Sequence, residues 1–300
     1  MSIAAVTPGS RGEVRLALQA MATRFELVLG GGDPVRLRAA GEEALAEIAR
    51  LDRQLSFYRS TSDISWINAR AAREPVRVEP ALFRLVQRCC ALSAATDGAF
   101  DITIAPLMRA WGFVARGGAI PDEATLAAAR DSVGFSHCHL DPGTSAIAFG
   151  RDGMSIDLGA AGKGYAIDAA VDILREHGVA HALLHGGTSS IHAIGTQPDG
   201  GPWRVGWGGS PQSPPLAFEL HDRALAASAI KGKSFVAEGR EYGHVIDPRT
   251  GLAIVAAPAA TVTGPASLEC DALSTALLVL GASWLPTLRT RFPGYDGVVG

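Results

Sequence analysis

Several broad classes are excluded by what the chain lacks. Its four cysteines, Cys89, Cys90, Cys138 and Cys270, show no metal-ligand spacing, and the adjacent pair cannot easily form a bridge. They are expected to be reduced thiols in helices or core, as in a cytoplasmic protein. Between Met1 and Ala20 there is no long apolar run, because Arg11, Glu13 and Arg15 interrupt it. Neither a secretory signal nor a transmembrane helix is expected there, and no nearby cysteine could carry a lipid. Positive charge is not in excess either. Against 30 Asp and Glu, 27 Lys and Arg leave a net charge of −3, which gives no basic field for nucleic acid. A phosphate-bearing ligand would have to be held by local donors or by a metal. The chain also has no internal repeat, heptad or low-complexity tract.

What is present is an ordinary globular composition. Of 300 residues, 47% are apolar and 19% charged, enough to bury a sizeable core. Residues 1–13 are expected to be a disordered lead, and 14–300 a single domain made of two closely joined halves. Alternation predicts strands over Val14–Leu18 and Thr23–Gly30. Periodicity and caps predict helices from Asp33 to Leu55, Asp63 to Asn68, Pro80 to near Thr96 and Asp122 to Asp131. Two more are expected, from Lys163 to a cap at Gly178 and from Ser267 to Gly281. Short strands fill the rest of the second half, with a hairpin at Gly239-Arg240. The fold class that follows is α+β, with mixed, mostly antiparallel sheets and packed helices.

Four stretches carry chemistry. In His244-Val245-Ile246-Asp247-Pro248-Arg249-Thr250-Gly251, Pro248 fixes its own φ and Gly251 permits φ > 0, so a rigid turn presents an imidazole. Asp97 to Leu107 mixes turn residues, two carboxylates and an aromatic, with Trp111-Gly112-Phe113 just beyond. That suits a loop lining a pocket. From Ser155 to Tyr165 a strand is expected to end at Leu158, before a glycine-rich turn and a helix near Lys163. Converging amides and the helix dipole there favour an anion. It is not a Walker A loop, since Gly164 follows Lys163, and it does not match G-x-G-x-x-G. On the last helix, Asp271 and Thr275 stand four apart on one face with Ser274 beside them. These are hard oxygen ligands of the kind magnesium takes. The same spacing also suits an Asp favoured by the helix dipole and a Thr bonded back to a carbonyl.

In order and in residue identity these pieces resemble the ApbE family, the FAD:protein FMN transferases. The matching segments begin with Met21-Ala22-Thr23, Leu55-Ser56-x-Tyr58 with Asn68, and Gly98-Ala99-Phe100-Asp101-x-Thr103 through Pro106-Leu107 and Trp111-Gly112-Phe113. Asp157-Leu158-Gly159, Lys163-Gly164-Tyr165 with Asp168, Gly186-Gly187 and Pro202-Trp203 follow. The series closes with His244-x-x-Asp247-Pro248-x-Thr250-Gly251 and Asp271-Ala272-x-x-Thr275-Ala276, so the resemblance runs from about residue 20 to 281.

The resemblance implies an enzyme that binds FAD as substrate with Mg2+. Such an enzyme transfers the FMN part to a Thr or Ser hydroxyl of an acceptor flavoprotein and releases AMP. It further implies that Met21, Tyr58, Ala99, Phe100, Asp101, Asp157, Lys163 and Val245 line the FAD site. Asp271, Thr275, Ser274 and the Ala160 carbonyl would hold the metal, and His244 falls where the family has a catalytic histidine; because the attacking hydroxyl has a high pKa, His244 is expected to be its general base. No nucleic-acid partner and no membrane span are expected.

The chain departs from the family pattern at Ala22, where the glycine of Met-Gly-Thr is missing, which matters if that position needs φ > 0. It departs again at Gly162 before Lys163, at Thr188 after Gly186-Gly187, and at Ala229 after Ser228. None removes a proposed metal ligand or the histidine. Two alternatives share the same residues: an FAD pyrophosphatase using water as the acceptor, and a flavin-binding protein without turnover.

Overall fold

In the computed structural model the described residues are 12–114, 117–207, 216–230, 234–254 and 259–300. Residues 1–11 of the expected N-terminal lead lie outside them. Among the described residues, the helices in chain order are α1 (Pro34–Leu55), α2 (Asp63–Arg70), α3 (Pro80–Ala95), α4 (Ala105–Ala110), α5 (Glu123–Asp131), α6 (Gly162–Glu176), α7 (Ser267–Leu280) and α8 (Leu285–Arg291). The strands of the first half are β1 (Val14–Ala20), β2 (Thr23–Gly30), β3 (Val76–Arg77), β4 (Cys138–Asp141) and β5 (Ala146–Phe149). Then come β6 (His181–Gly186), β7 (Ser190–Ile194), β8 (Trp203–Trp207), β9 (Leu216–Leu220) and β10 (Arg223–Ala229). β11 (Ser234–Ala237), β12 (Arg240–Gly243), β13 (Ala259–Gly264) and β14 (Asp296–Val299) complete the set. β1–β2, β2–β6, β6–β7, β7–β10, β3–β5, β4–β5, β8–β9 and β11–β12 all pair antiparallel, so the α+β expectation holds.

The chain divides into two compact units. The first comprises the residues up to Asp52, with Gly162–Ala227 and Val262–Asp271. Its sheet runs β1-β2-β6-β7-β10-β13, and strand alternation gives it two apolar faces. Val28, Leu183, Ile191, Ala193 and Leu225 point to one side, where Trp203, Val205 and Leu220 of the β8–β9 pair cover them. Leu27 and Leu29 point to the other, against α1 at Gly41, where a Cβ would fall 2.8 Å from Leu29 and 3.2 Å from Leu27. Each such buried Leu or Ile stabilises the unit by roughly 1.5–3 kcal/mol. Asp33 caps α1 as expected, accepting from the N–H groups of Val35 and Arg36.

The turn between β1 and β2 answers the question raised by Ala22. Met21 and Ala22 have φ of 49° and 57°, the pair of left-handed residues a two-residue hairpin turn requires. The Met21 N–H is tied to Asp52 Oδ1 at 2.8 Å. A left-handed L-residue costs about 1–2 kcal/mol, of which glycine's backbone entropy returns about half. Ala22→Gly is therefore expected to stabilise the protein by about 0.5–1 kcal/mol in denaturant unfolding. An unchanged midpoint would show that the turn is not strained.

The second unit comprises Arg53–Ala161, Ser228–Thr261 and Ala272–Gly300. It holds the small sheet β3-β5-β4, the β11–β12 hairpin, and β14, whose end exchanges backbone bonds with the start of β13 between Ala259 and Gly300. The α2 helix is capped by Ser62, whose hydroxyl accepts from Ser65 N–H; Asp63, the expected cap, is its first residue. The loop expected over Asp97 to Leu107 ends early, because Ala105 opens α4 with Pro106 in its first turn. α8, with Pro286 in its first turn, and β14 lie beyond the last expected element.

The expected strand ending at Leu158 does not form. Ile156 instead pairs with a side chain: Asn68 Nδ2 donates to its carbonyl at 2.9 Å, and its N–H donates to Asn68 Oδ1 at 2.7 Å. Asp157 N–H then donates to the Ile102 carbonyl. One amide side chain thus replaces a neighbouring strand, which no periodicity reveals. Because Ile156 is fully buried, Asn68→Ala strands two backbone groups and is expected to cost about 2–4 kcal/mol in denaturant unfolding. A loss below half a kcal/mol would contradict this account.

Candidate functional site

In the first unit, Lys163 and Gly164 lie in the first turn of α6, and the dipole of that helix faces a carboxylate of the protein itself. Gly164 N–H donates to Asp271 Oδ2 at 2.7 Å, and Ser190 Oγ donates to Asp271 Oδ1 at 2.6 Å. Asp271 is only 6% exposed. Burial pushes its carboxyl pKa up, and the Lys163 charge and these two donors pull it back. The anion cradle expected at this helix start therefore has an occupant in the chain. Asp271 lies beyond the first turn of α7, so hydrogen bonds rather than the dipole of its own helix hold it.

In the second unit, α7 continues through Ser274 and Thr275. Both hydroxyls lie near that of Ser228, at 2.9 and 3.0 Å, in a cluster of hard oxygens. Ala160 sits partly buried in the turn that precedes α6.

Tyr58 and Asp157 share one electrostatic neighbourhood. Tyr58 is 66% exposed, and its phenol pKa is raised, first by burial and then by the Asp157 charge. Asp157 accepts from the Gly159 N–H at 2.8 Å. The same charge acts on Arg109, where it opposes the lowering effect of burial. Arg109 Nη2 donates to Ser155 Oγ at 2.6 Å, and its guanidinium lies 5.6 Å from the centre of the Phe57 ring.

Three neighbouring residues have a different character. Ala99 and Phe100 are buried core at 1% and 2% exposure, and their N–H groups donate to the Thr96 carbonyl and hydroxyl. The Asp101 carboxylate is committed to local structure. Its Oδ1 accepts from the Thr103 N–H and hydroxyl at 2.8 and 2.7 Å, and its Oδ2 accepts from the Phe135 N–H at 2.9 Å. Burial raises the Asp101 pKa while those donors lower it. Beside Asp101 lies an open cavity of about 390 Å³, walled by Arg130, Gly134, Phe135, Pro248 and Arg249 among others. Of the sequence-predicted residues, only Asp101 borders it.

The loop from His244 is built as a rigid presenter. Gly251 has φ of 76°, and its N–H returns to the Asp247 carbonyl. Asp247 is buried and holds Arg249 by three donors, the backbone N–H, Nε and Nη2, at 2.9, 2.9 and 2.8 Å. Trp111 Nε1 donates to the Gly251 carbonyl at 2.8 Å, and the Trp111 ring packs with Phe235 and Tyr242 of the β11–β12 hairpin. His244 follows directly from β12, partly exposed, with Val245 receiving the Ile254 N–H.

The ApbE family model matches residues 21–298. The chain belongs to the ApbE family. Among relatives of that family, an FAD:protein FMN transferase of Treponema pallidum is 30% identical, over 92% of this chain and 83% of its own length. A second, from Vibrio cholerae, is 29% identical over 90% and 82%. The ApbE protein of Thermotoga maritima superposes with a TM-score of 0.86 at 26% identity, covering 96% of this chain and 94% of its own. The apo flavinyl transferase ApbE of Pseudomonas stutzeri gives 0.83 at 30% identity, with the same coverage. Within this ApbE chain, sequence reasoning missed Arg109, Ser190 and Ser228 as neighbours of the predicted residues. Ser190 left a trace as a polar residue alternating with apolar ones on a strand, and Ser228 as the serine that precedes Ala229 in the family pattern. Among the described residues no single helix is long and apolar enough to cross a membrane.

Proposed function

We propose that the chain is an FAD:protein FMN transferase, moving FMN from FAD to a Thr or Ser hydroxyl of an acceptor flavoprotein and releasing AMP. The match over residues 21–298 carries this reading, because relatives spanning nine-tenths of the chain bear that name. In the reaction, the acceptor hydroxyl oxygen forms a bond to the flavin-side phosphorus. The bond from that phosphorus to the bridging oxygen breaks, and AMP leaves with the electron pair. His244 takes the hydroxyl proton on its imidazole, held in place by the Asp247-Pro248-Arg249 turn. Lys163 supplies a point charge to the phosphates. Met21, Tyr58, Asp157 and Val245 contact FAD directly. Ala99, Phe100 and Asp101 shape the wall of the FAD site, with Asp101 holding that segment in place.

The donor chemistry suits magnesium. Asp271 is one buried carboxylate, Ser274 and Thr275 are hydroxyls, and Ala160 offers a carbonyl. When bound, the ion neutralises phosphate charge that an acidic protein cannot.

Mass measurement tests the reaction. Incubation with FAD, Mg2+ and a flavoprotein acceptor should add the mass of FMN less water to the acceptor and release AMP. FMN and AMP without a mass change would make the protein a pyrophosphatase, and bound FAD without AMP a carrier.

A further inference from the structure

β7 and α7 meet at matched spacings. Ser190 and His192 are two apart on β7 and so share one face, while Ile191 and Ala193 point to the opposite apolar layer. Two strand residues span about 6.7 Å and four helical residues about 6 Å, so a strand pair can address one helix turn. Ser190 Oγ reaches Asp271, and His192 Nδ1 lies 2.9 Å from Ser267 Oγ, four residues earlier on α7.

A second pair repeats the pattern from α6, again four residues apart. Gly164 N–H bonds Asp271, and both Asp168 oxygens cap α7 by accepting from Ser267 and Leu268 N–H at 2.8 Å. His192 is 2% exposed, its Nδ1 lies 3.6 Å from Asp168 Oδ1, and its Nε2 has no partner among the described residues. A buried ring held through one nitrogen fits a fixed structural post.

We infer that Ser190 and His192 are positioning residues that fix the Asp271 carboxylate for the metal. Ser190 orients it directly, and His192 acts through Ser267 by locking the helix turn. The inference rests on the reading of Asp271 as a metal ligand. A hydrogen bond to a coordinating carboxylate fixes which lone pairs face the ion, and losing one typically weakens metal affinity about 10–100-fold.

The test is Mn2+ affinity of the full chain with FAD present, followed by electron paramagnetic resonance. Ser190→Ala should weaken Mn2+ about tenfold or more and leave FAD affinity in EDTA unchanged. Ser190→Thr, which keeps the hydroxyl, should recover most of the loss. Asp271→Ala separates the two levels. If Asp271→Ala abolishes Mn2+ binding while Ser190→Ala matches the natural protein, the positioning role is wrong. If Asp271→Ala still binds Mn2+ normally, the metal reading itself fails. Should Ser190→Ala not fold, His192→Leu takes its place, with several-fold weaker Mn2+ expected and unchanged affinity overturning the inference.

Discussion

His244→Ala is expected to lower FMN transfer by about 10²–10⁴-fold while FAD still binds. The attacking hydroxyl is a poor nucleophile until its proton is taken. In this chain the His244 imidazole stands at the head of a turn braced by Asp247, Arg249, Gly251 and Trp111. The proposed FAD contacts lie on other residues, so binding should change little. Single-turnover transfer to an acceptor, read beside FAD titration by fluorescence, separates the two effects. Transfer at the natural rate would remove His244 from the mechanism. Equal loss of binding and transfer would make it a ligand contact rather than a base.

Gly164→Ala should cause a marked loss of stability together with a loss of metal affinity. A Cβ there would lie 2.2 Å from the Ser267 carbonyl oxygen, 2.5 Å from its carbon and 2.7 Å from Leu268 N. Those are backbone atoms at the start of α7, so no side-chain rotation can relieve the contact. Over-packing of this kind costs about 1–3 kcal/mol or more, and here α6 and α7 must separate to accept it. Separation also breaks the Gly164 bond to Asp271, leaving a buried carboxylate short of a donor. The melting temperature is expected to fall by roughly 5 °C or more. Mn2+ affinity is expected to fall with it. A variant that melts and binds metal like the natural protein would mean that the two helices do not meet this closely.

Much of the fold was legible in the sequence because it is encoded locally. The Asp33 cap and the apolar stripe that follows dictate α1, and the alternation of Phe25, Leu27 and Leu29 dictates β2. Pro248 and Gly251 specify their turn by dihedral restriction alone. The residue types of the proposed chemistry, His244, Lys163 and Asp271, were also readable, because their motifs are short and continuous. Tertiary structure decided the rest, since it depends on partners far apart in the chain. Asn68 stands in for a strand beside Ile156, 88 positions away. Ser190 reaches Asp271 across 81 positions. Phe100 proved to be core and Asp101 a structural acceptor, because burial and hydrogen-bond commitment belong to the packed chain and not to the motif. The sequence by itself determined which groups are present and how each local segment turns. Packing alone decided which of those groups are held, by whom, and how far each is removed from water.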